Sequence, residues 1–223
     1  MAGHNVRTHQ VQGGCADASF VVLGFIANNV YFIDDGEGLI IVDPSCRPSD
    51  ILSIVGDRKV DAIFCTHNHS DHVGCLAQIQ KATGATVYAS TIDAPLIEKG
   101  QKDPDGYYAD PCKVDVRVND GDTITVGKTT WKVMATPGHT KGSICFFLDA
   151  KNAPKKGKNL LVSGDTLFAG SIGRTDFAGG SMADMRKSLA KLQKLPDATI
   201  VLPGHNALTT IQAEQRRVFA YFL

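Results

Sequence analysis

A short segment of the chain carries an unusual density of side chains that can bind metal ions. Residues 67–72, His-Asn-His-Ser-Asp-His, hold three of the seven histidines in the 223-residue sequence and one aspartate. Neutral imidazole and carboxylate bind zinc, iron and similar first-row metals. One ion takes three or four such ligands, so four in one segment suggest more than one ion. The alternative is a solvated polar loop, because burying so many polar groups would be costly unless something coordinated them. The four candidates are His67, His69, Asp71 and His72.

Three further residues of the same types follow apolar runs elsewhere in the chain. They are His139, Asp165 and His205, and each comes after an apolar run and a small or turn residue, as His67 does. In layered α/β folds, sites gather just beyond the carboxyl ends of strands. One such histidine alone would more often be a surface residue, but four strand ends with ligand-type side chains are hard to explain by core packing. We therefore predict a metal site assembled from four strand ends.

The elements that must position these residues are short apolar runs with turn residues between them. The runs are rich in Val, Ile and Phe and end at Gly, Asp, Asn or Pro, which favours buried strands. Many strands with interleaved helices indicate layered α/β packing. The predicted strands are 20–25, 30–33, 39–42, 62–65, 133–135, 144–148, 160–162 and 200–202. The predicted helices are 48–56, 74–83, 182–195, with Ser181 as its N-cap, and 209–222.

Length and charge restrict the class of protein. With 43% apolar residues, a chain of 223 residues can bury a substantial core. Because no linker or low-complexity stretch divides the sequence, we predict one domain over residues 1–223. The formal net charge is zero, which gives no electrostatic support for a nucleic-acid partner. A small-molecule substrate is the expected partner.

Cysteine usage and the amino-terminal residues indicate a compartment. The six cysteines include no Cys-x-x-Cys pair, and their spacing fits neither a zinc knuckle nor a disulfide framework. The first residues lack an apolar signal segment, and no stretch approaches 18 uninterrupted apolar residues. We therefore expect a cytoplasmic protein without a membrane partner.

The ordered set of ligand-type residues resembles that of the metallo-β-lactamase-fold hydrolases. Residues 136–140, Thr-Pro-Gly-His-Thr, and 163–168, Ser-Gly-Asp-Thr-Leu-Phe, are similar to the glyoxalase II (hydroxyacylglutathione hydrolase) branch. Residues 170–177, Gly-Ser-Ile-Gly-Arg-Thr-Asp-Phe, are similar to its small single-domain bacterial members, and the related persulfide dioxygenases carry a comparable segment. The resemblance implies a four-layer αββα metallo-β-lactamase-type sandwich, with helices on the outer faces of two central sheets.

The resemblance also implies two divalent metal ions, which we expect to be zinc, with iron or manganese as alternatives. Two such ions can share a hydroxide and polarise a carbonyl oxygen, and coordination lowers the pKa of bound water to about 7. Three residues would hold the first ion, three would hold the second, and one would bridge. In that order they are His67, His69 and His139; Asp71, His72 and His205; and Asp165.

Two aspartates have further expected roles at this site. Asp71 is the candidate catalytic residue, because it would orient the hydroxide as well as bind an ion. Asp43 follows the 39–42 strand and would accept a hydrogen bond from a ligand imidazole. An aspartate in an ordinary strand-end turn is the alternative for Asp43.

The bridging residue bears on the substrate. By family resemblance, true β-lactamases usually have a cysteine where this chain has Asp165, which favours another substrate. A thioester is an easier target, since a thiol with a pKa of about 8.5 leaves as thiolate without a general acid. We predict a hydrolase of small thioesters such as S-2-hydroxyacylglutathione. The alternatives are a mononuclear iron persulfide dioxygenase, with His67, His139 and Asp165 as its ligands, and a nuclease of the same fold.

The chain departs from glyoxalase II in the residues expected to contact glutathione. Longer members bind it through a carboxyl-terminal helical domain, whereas this chain ends at residue 223, 18 residues after His205. Arg174 stands where those enzymes have a lysine, and the substrate tyrosine positions are Asp176 and Ala207. Arg174 would either bind a substrate carboxylate or pair with Asp176. By position, three further residues are expected to line the pocket: Tyr107, Tyr108 and Lys141.

Overall fold

Two β-sheets packed face to face lie at the centre of the protein. A computed structural model describes residues 6–102 and 108–223. The strands are β1 (His9–Gln10), β2 (Asp17–Leu23), β3 (Asn28–Asp34), β4 (Leu39–Val42), β5 (Val60–Phe64), β6 (Thr86–Ser90), β7 (Gln101–Lys102), β8 (Tyr108–Ala109), β9 (Val116–Val118), β10 (Thr123–Val126), β11 (Thr129–Ala135), β12 (Ile144–Leu148), β13 (Leu160–Gly164), β14 (Ile200–Pro203) and β15 (Thr209–Thr210). The α-helices are α1 (Pro48–Val55), α2 (Ser70–Val73), α3 (Leu76–Thr83), α4 (Ala94–Lys99), α5 (Met182–Leu192), α6 (Ile211–Glu214) and α7 (Ala220–Phe222), with a 3₁₀ turn at Ala150–Asn152 and a π-helical turn at Gln215–Phe219.

Strand direction brings several carboxyl ends to one edge. The first sheet has the order β1-β2-β3-β4-β5-β6-β9, and the second has the order β10-β11-β12-β13-β14-β15. β4, β5, β6 and β9 pair in parallel, as do β13 and β14. Since β11 and β13 both pair antiparallel with β12, they point the same way. The strands that precede the candidate ligands therefore end together within each sheet.

The central strands are apolar throughout because both of their faces are buried. In β4, Leu39 and Ile41 point into the core beneath the helices, while Ile40 and Val42 point into the core between the sheets. All four are at most 2% exposed. This period-two division explains a continuous apolar run that a half-buried strand would not have.

Aromatic side chains from both sheets fill the space between them. The Phe64 ring of β5 stacks on Phe146 of β12, with centroids 4.4 Å apart, and meets Trp131 of β11 edge-on at 5.9 Å. All three side chains are fully buried. Such pairs contribute roughly 0.5–1.5 kcal/mol beyond the burial of their area. The strand that leads to His67 is thus held firmly against the second sheet.

Helices cover the outer face of each sheet. Ile51 of α1, Leu76 of α3 and Ile97 of α4 pack on the first sheet. Met185 and Leu189 of α5, with residues of the carboxyl-terminal helices, pack on the second. The layer order is αββα, so the predicted fold class is confirmed. The shared core between the sheets supports one domain over residues 1–223, which stays a prediction. Across residues 6–102 and 108–223, every helix is too short or too polar to cross a membrane.

Element bounds differ from the prediction where side-chain pattern and local geometry disagree. The strand predicted at 20–25 ends at Leu23, and Phe25 lies fully exposed in the turn that follows. The helix predicted at 209–222 is also wrong at its start, because Thr209 and Thr210 pair with β14 as β15. Ser181 is the N-cap of α5, since its Oγ accepts a hydrogen bond from Asp184 N at 3.2 Å. The prediction missed β6, β9 and β10, whose apolar positions alternate with polar ones, and the short helix α4.

Replacing Phe146 with alanine should lower the free energy of unfolding by about 3–5 kcal/mol, because the cavity lies between two rigid sheets. Phe25→Ala is the matched control, since this exposed ring should contribute less than about 0.5 kcal/mol. Urea unfolding of both variants and the wild type measures the difference. Equal effects would contradict the assignment of Phe146 to the central core.

Candidate metal centre

The predicted metal-binding residues meet at the edge where the strands end. β5, β11, β13 and β14 end just before the segments that carry His67, His139, Asp165 and His205. The ligand atoms form three groups, in each of which all atoms lie within 4.8 Å of one another. The groups are His67, His69 and His139; His67, His72 and Asp165; and Asp71, His72 and His205. We name the first group the first triad and the last group the second triad. All seven candidates are brought together, and their roles as ligands stay a prediction.

In the first triad, ring nitrogens face one another. His69 Nδ1 lies 2.8 Å from His139 Nε2, and the His67 ring meets both of these rings edge-on, with centroids 4.8 and 4.9 Å away. His67 Nε2 is buried and has no hydrogen-bond partner among the residues that the structure describes. Because buried polar atoms are normally paired, this nitrogen indicates a place for a cation.

The second triad combines two imidazoles with a carboxylate. His72 Nε2 lies 3.3 Å from Asp71 Oδ2 and 3.3 Å from His205 Nε2. Asp71 Oδ2 is 3.4 Å from His205 Nε2. Imidazole nitrogen and carboxylate oxygen are donors that zinc, iron and manganese all accept.

Asp165 lies between the two triads. Its Oδ1 is 3.3 Å from His72 Nε2, and its Oδ2 is 3.4 Å from His205 Nε2 and 3.5 Å from His139 Nε2. Oδ1 is buried and, within the described part of the chain, has no hydrogen-bond partner. A carboxylate that faces both triads can share its oxygens between two cations. The residues present therefore fit a pair of divalent ions.

Outward hydrogen bonds fix which nitrogen two of the imidazoles turn inward. His139 Nδ1 donates to the Arg174 carbonyl at 2.7 Å, and His205 Nδ1 donates to the Ile26 carbonyl at 2.9 Å. A carbonyl oxygen only accepts, so Nδ1 carries a proton in both rings and Nε2 is the nitrogen that faces the site. Metal-binding histidines are typically held in this way.

Asp43 supports both the 67–72 segment and one of its rings. Its Oδ2 lies 2.9 Å from His72 Nδ1 and accepts from Thr66 Oγ1 at 2.7 Å, while Oδ1 accepts from Thr66 N at 2.8 Å. The side chain is buried, and its backbone has a φ of 49°, which is uncommon outside glycine. The contact is the one that the sequence analysis proposed, and its effect on a bound ion stays a prediction.

The two triads differ in charge. Burial and the nearby His139 lower the pKa of His69 to about 4, and burial also holds the pKa of His67 well below its usual value. Burial alone would lower the pKa of His205 as well, but the hydrogen bonds that its ring donates to the Asp165 and Asp71 carboxylates raise it to about 9. The first triad thus presents two neutral imidazoles at neutral pH. The second triad has its cationic imidazole balanced by carboxylates.

Gly204 leaves room for the ligands on either side of it. A Cβ at this position would lie 2.3 Å from Asp165 Oδ1 and 2.6 Å from His72 Cε1. Distances this short require the neighbours to move. The glycine before His205 is therefore a requirement of ligand placement.

The loop after Asp165 forms one wall of the site. Arg174 pairs with Asp176 through two hydrogen bonds, of 2.9 and 2.7 Å, and its guanidinium lies 4.1 Å from the Phe177 ring centroid. The Phe177 ring meets His69 edge-on, with centroids 5.7 Å apart. The structure shows the Arg174–Asp176 pair, one of the two alternatives, and contact of Arg174 with a substrate stays a prediction.

Sequence reasoning missed residues that contact the candidate ligands without being ligands. Asn28 Nδ2 donates to Asp71 Oδ2 at 2.9 Å, and Asp93 contacts the segments of the first triad. Asn28 begins β3 and Asp93 precedes α4, and neither position has a spacing to the candidate ligands that would single it out in the sequence. Of the predicted pocket residues, Tyr108 and Lys141 are exposed, and Tyr107 lies outside the described residues.

Gly204→Ala should weaken zinc binding by roughly 10–100-fold, the range seen when the surroundings of metal ligands are disturbed. Gly121→Ala is the control, because a Cβ there meets none of the described residues within 4 Å although the φ is 89°. That variant should keep zinc affinity and lose roughly 1–2 kcal/mol of stability. Competition with a chromogenic chelator measures the affinities. Wild-type affinity in Gly204→Ala would show that the ligands tolerate displacement.

Sequence relatives of the chain include named hydrolases. A protein from Aquifex aeolicus is 37% identical over 87% of this chain and 92% of its own length. "Probable metallo-hydrolase YqgX" of Bacillus subtilis is 31% identical over 86% of this chain and 92% of its own. A hydroxyacylglutathione hydrolase of Pseudomonas putida is 37% identical, but the match covers 74% of this chain and 56% of that enzyme.

Solved structures show the same fold. The B3 metallo-β-lactamase BLEG-1 matches with a TM-score of 0.80 and 30% identity, covering 91% of this chain and 98% of that one. TTHA1623, solved in a di-iron-bound form, matches with a TM-score of 0.75 and 31% identity, covering 89% of this chain and 97% of that one. ETHE1 from Myxococcus xanthus matches with a TM-score of 0.70 and 30% identity, covering 89% of this chain and 82% of that one. The model of the metallo-β-lactamase superfamily matches residues 23–205. The chain therefore belongs to the metallo-β-lactamase superfamily, whose members are generally hydrolases.

Proposed function

We propose that this protein is a hydrolase of small thioesters that works with two divalent metal ions, zinc in the first place. The observation that carries the proposal is the position of Asp165 between two complete triads. The first triad and Asp165 would hold one ion, and the second triad and Asp165 would hold the other. Ions bound there would lower the pKa of a coordinated water to about 7 and polarise a substrate carbonyl.

The protein's own contribution is to hold the donors and to orient the attacking water. Burial would raise the pKa of Asp71, but His72 and the hydrogen bond from Asn28 hold it below its usual range. Asp71 is therefore an ionised acceptor at neutral pH. The Asn28 amide fixes the direction of its carboxylate, so Asp71 can accept a hydrogen bond from water on the side of the substrate.

Two observations and one chemical argument support a thioester as the substrate. The Pseudomonas putida relative, 37% identical over 74% of this chain, is a hydroxyacylglutathione hydrolase. A thiol with a pKa of about 8.5 leaves as thiolate, so the reaction needs no acid at the leaving group. Phe177, 42% exposed beside the first triad, offers an apolar surface to the acyl or thiol part.

A β-lactam is the second candidate substrate, because the structure of BLEG-1 is similar over nearly its whole length. Asp165 argued against lactams in the sequence analysis, and similarity to a B3 enzyme weakens that argument. The two candidates make different demands on the leaving group. A β-lactam nitrogen is a poorer leaving group than a thiolate and requires a proton.

The test is to measure metal content and turnover in one preparation. We expect two ions per chain by elemental analysis. We also expect hydrolysis of S-lactoylglutathione or a simple acyl thioester, measured as the thiol that is released. No thioester turnover at full metal loading, together with opening of a chromogenic cephalosporin, would overturn the substrate proposal in favour of a lactam. One iron per chain with O₂ uptake on glutathione persulfide would overturn the hydrolase.

Asp165→Ala should lose both metal binding and thioester hydrolysis, because one carboxylate faces both triads. Asp184→Ala is the control, since the Asp184 side chain on α5 is half-exposed and pairs with Lys187. It should keep wild-type metal content and turnover. Elemental analysis after dialysis, with turnover measured on the same samples, checks both. Two tightly bound ions in Asp165→Ala would contradict the bridging assignment.

A further inference from the structure

Asp93 is a buried carboxylate that belongs to neither triad. It is 2% exposed and stands at the N-cap position of α4. An aspartate there usually accepts a hydrogen bond from the first turn of its own helix. Within the part of the chain that the structure describes, the Asp93 side chain makes no such bond. Its carboxylate instead accepts hydrogen bonds from other segments of the chain.

One oxygen of Asp93 joins the two segments that carry the first triad. Asp93 Oδ2 accepts from Asn68 N at 3.1 Å and from Thr140 Oγ1 at 2.9 Å. Asn68 lies between His67 and His69, and Thr140 follows His139. The separation of these segments in space is therefore set through a single atom.

The carboxylate itself is held in place from several sides. Asp93 N donates to Ser90 Oγ at 3.0 Å, at the end of β6. The Gly142 backbone N–H also donates to the carboxylate, and a Cβ at residue 142 would come within 2.2 Å of Asp93 Oδ1. Ile97, one turn further along α4, is anchored in the core beneath the first sheet. With this support, the Asp93 carboxylate is held at a fixed position between the segments that carry Asn68 and Thr140.

We propose that Asp93 is a positioning residue that sets the geometry of the first triad and so determines the affinity of the first metal position. The inference rests on the metal centre of the proposed function. Hydrogen bonds to a carboxylate are about twice as strong as neutral ones. Three of them converge here, so their loss frees two loops at once. The contacts to Asn68 and Thr140 leave the second triad to other partners, Asn28 among them.

Asp93→Asn tests the idea with little change of volume. The amide replaces one acceptor oxygen with an NH₂ donor, so at least one of the three donors that face the group loses its partner. Thr140 provides a graded pair. Thr140→Val removes the hydroxyl at nearly constant volume, while Thr140→Ser keeps it and should restore wild-type behaviour.

Zinc binding at the two positions is measured separately in variants of the full chain that each lack one candidate ligand. In a His205→Ala background only the first triad is complete, and in a His69→Ala background only the second. Zinc affinity in each background is measured by chelator competition. Asp93→Asn should lower affinity by roughly 10–100-fold in the first background and change it less than twofold in the second. Thr140→Val should lower zinc affinity in the first background by a smaller factor. Asn28→Ala should lower zinc affinity in the second background and leave it nearly unchanged in the first.

Two results would overturn the proposal: unchanged affinity in the His205→Ala background, or equal losses in both backgrounds, which would indicate general loosening. Thermal unfolding of the zinc-free proteins identifies a variant that fails to fold. In that case Thr140→Val against Thr140→Ser decides the question. Because zinc affinity is the readout, failure of the thioester substrate would leave this result standing.

Discussion

The central constraint on this protein is the cost of burying imidazoles and carboxylates where they face one another. His67 Nε2 and Asp165 Oδ1 are buried with no hydrogen-bond partner among residues 6–102 and 108–223. Polar atoms left in this state cost about 1–3 kcal/mol each. A cation bound there would turn that cost into a favourable interaction, since these atoms would then be its ligands. The candidate metal centre therefore carries a cost in the free protein that a bound ion would remove.

The rest of the fold serves to keep these groups in place. Two sheets buried on both faces give strand ends that cannot shift without opening the core around Phe64 and Phe146. Outward hydrogen bonds then fix the imidazoles, as at His139 and His205. The partners of these two rings are backbone carbonyls, which exist wherever the loops pass. The precision of the site thus comes from packing first and from hydrogen bonds second.

Sequence reasoning succeeded where local pattern and tertiary environment agree. The apolar run of β4 and those before His67 and His205 are read directly, because strands buried on both faces need continuous apolar residues. It failed where they disagree. Phe25 is as apolar as its neighbours but lies in an exposed turn, and Thr209 pairs in a sheet before the helix begins. β6 was missed because Thr86 and Tyr88 interrupt its apolar pattern.

By itself, the sequence determined the residue types, their order and the four strand ends, which were enough to expect a metal site in a layered fold. Only the tertiary structure decided which oxygen of Asp165 faces which histidine, that Arg174 pairs with Asp176, and that Asn28 and Asp93 support the site. The hydrogen bonds of Asn28 and Asp93 join residues 25 to 47 positions apart. Partners so distant are set by how the layers pack, and no local spacing encodes them.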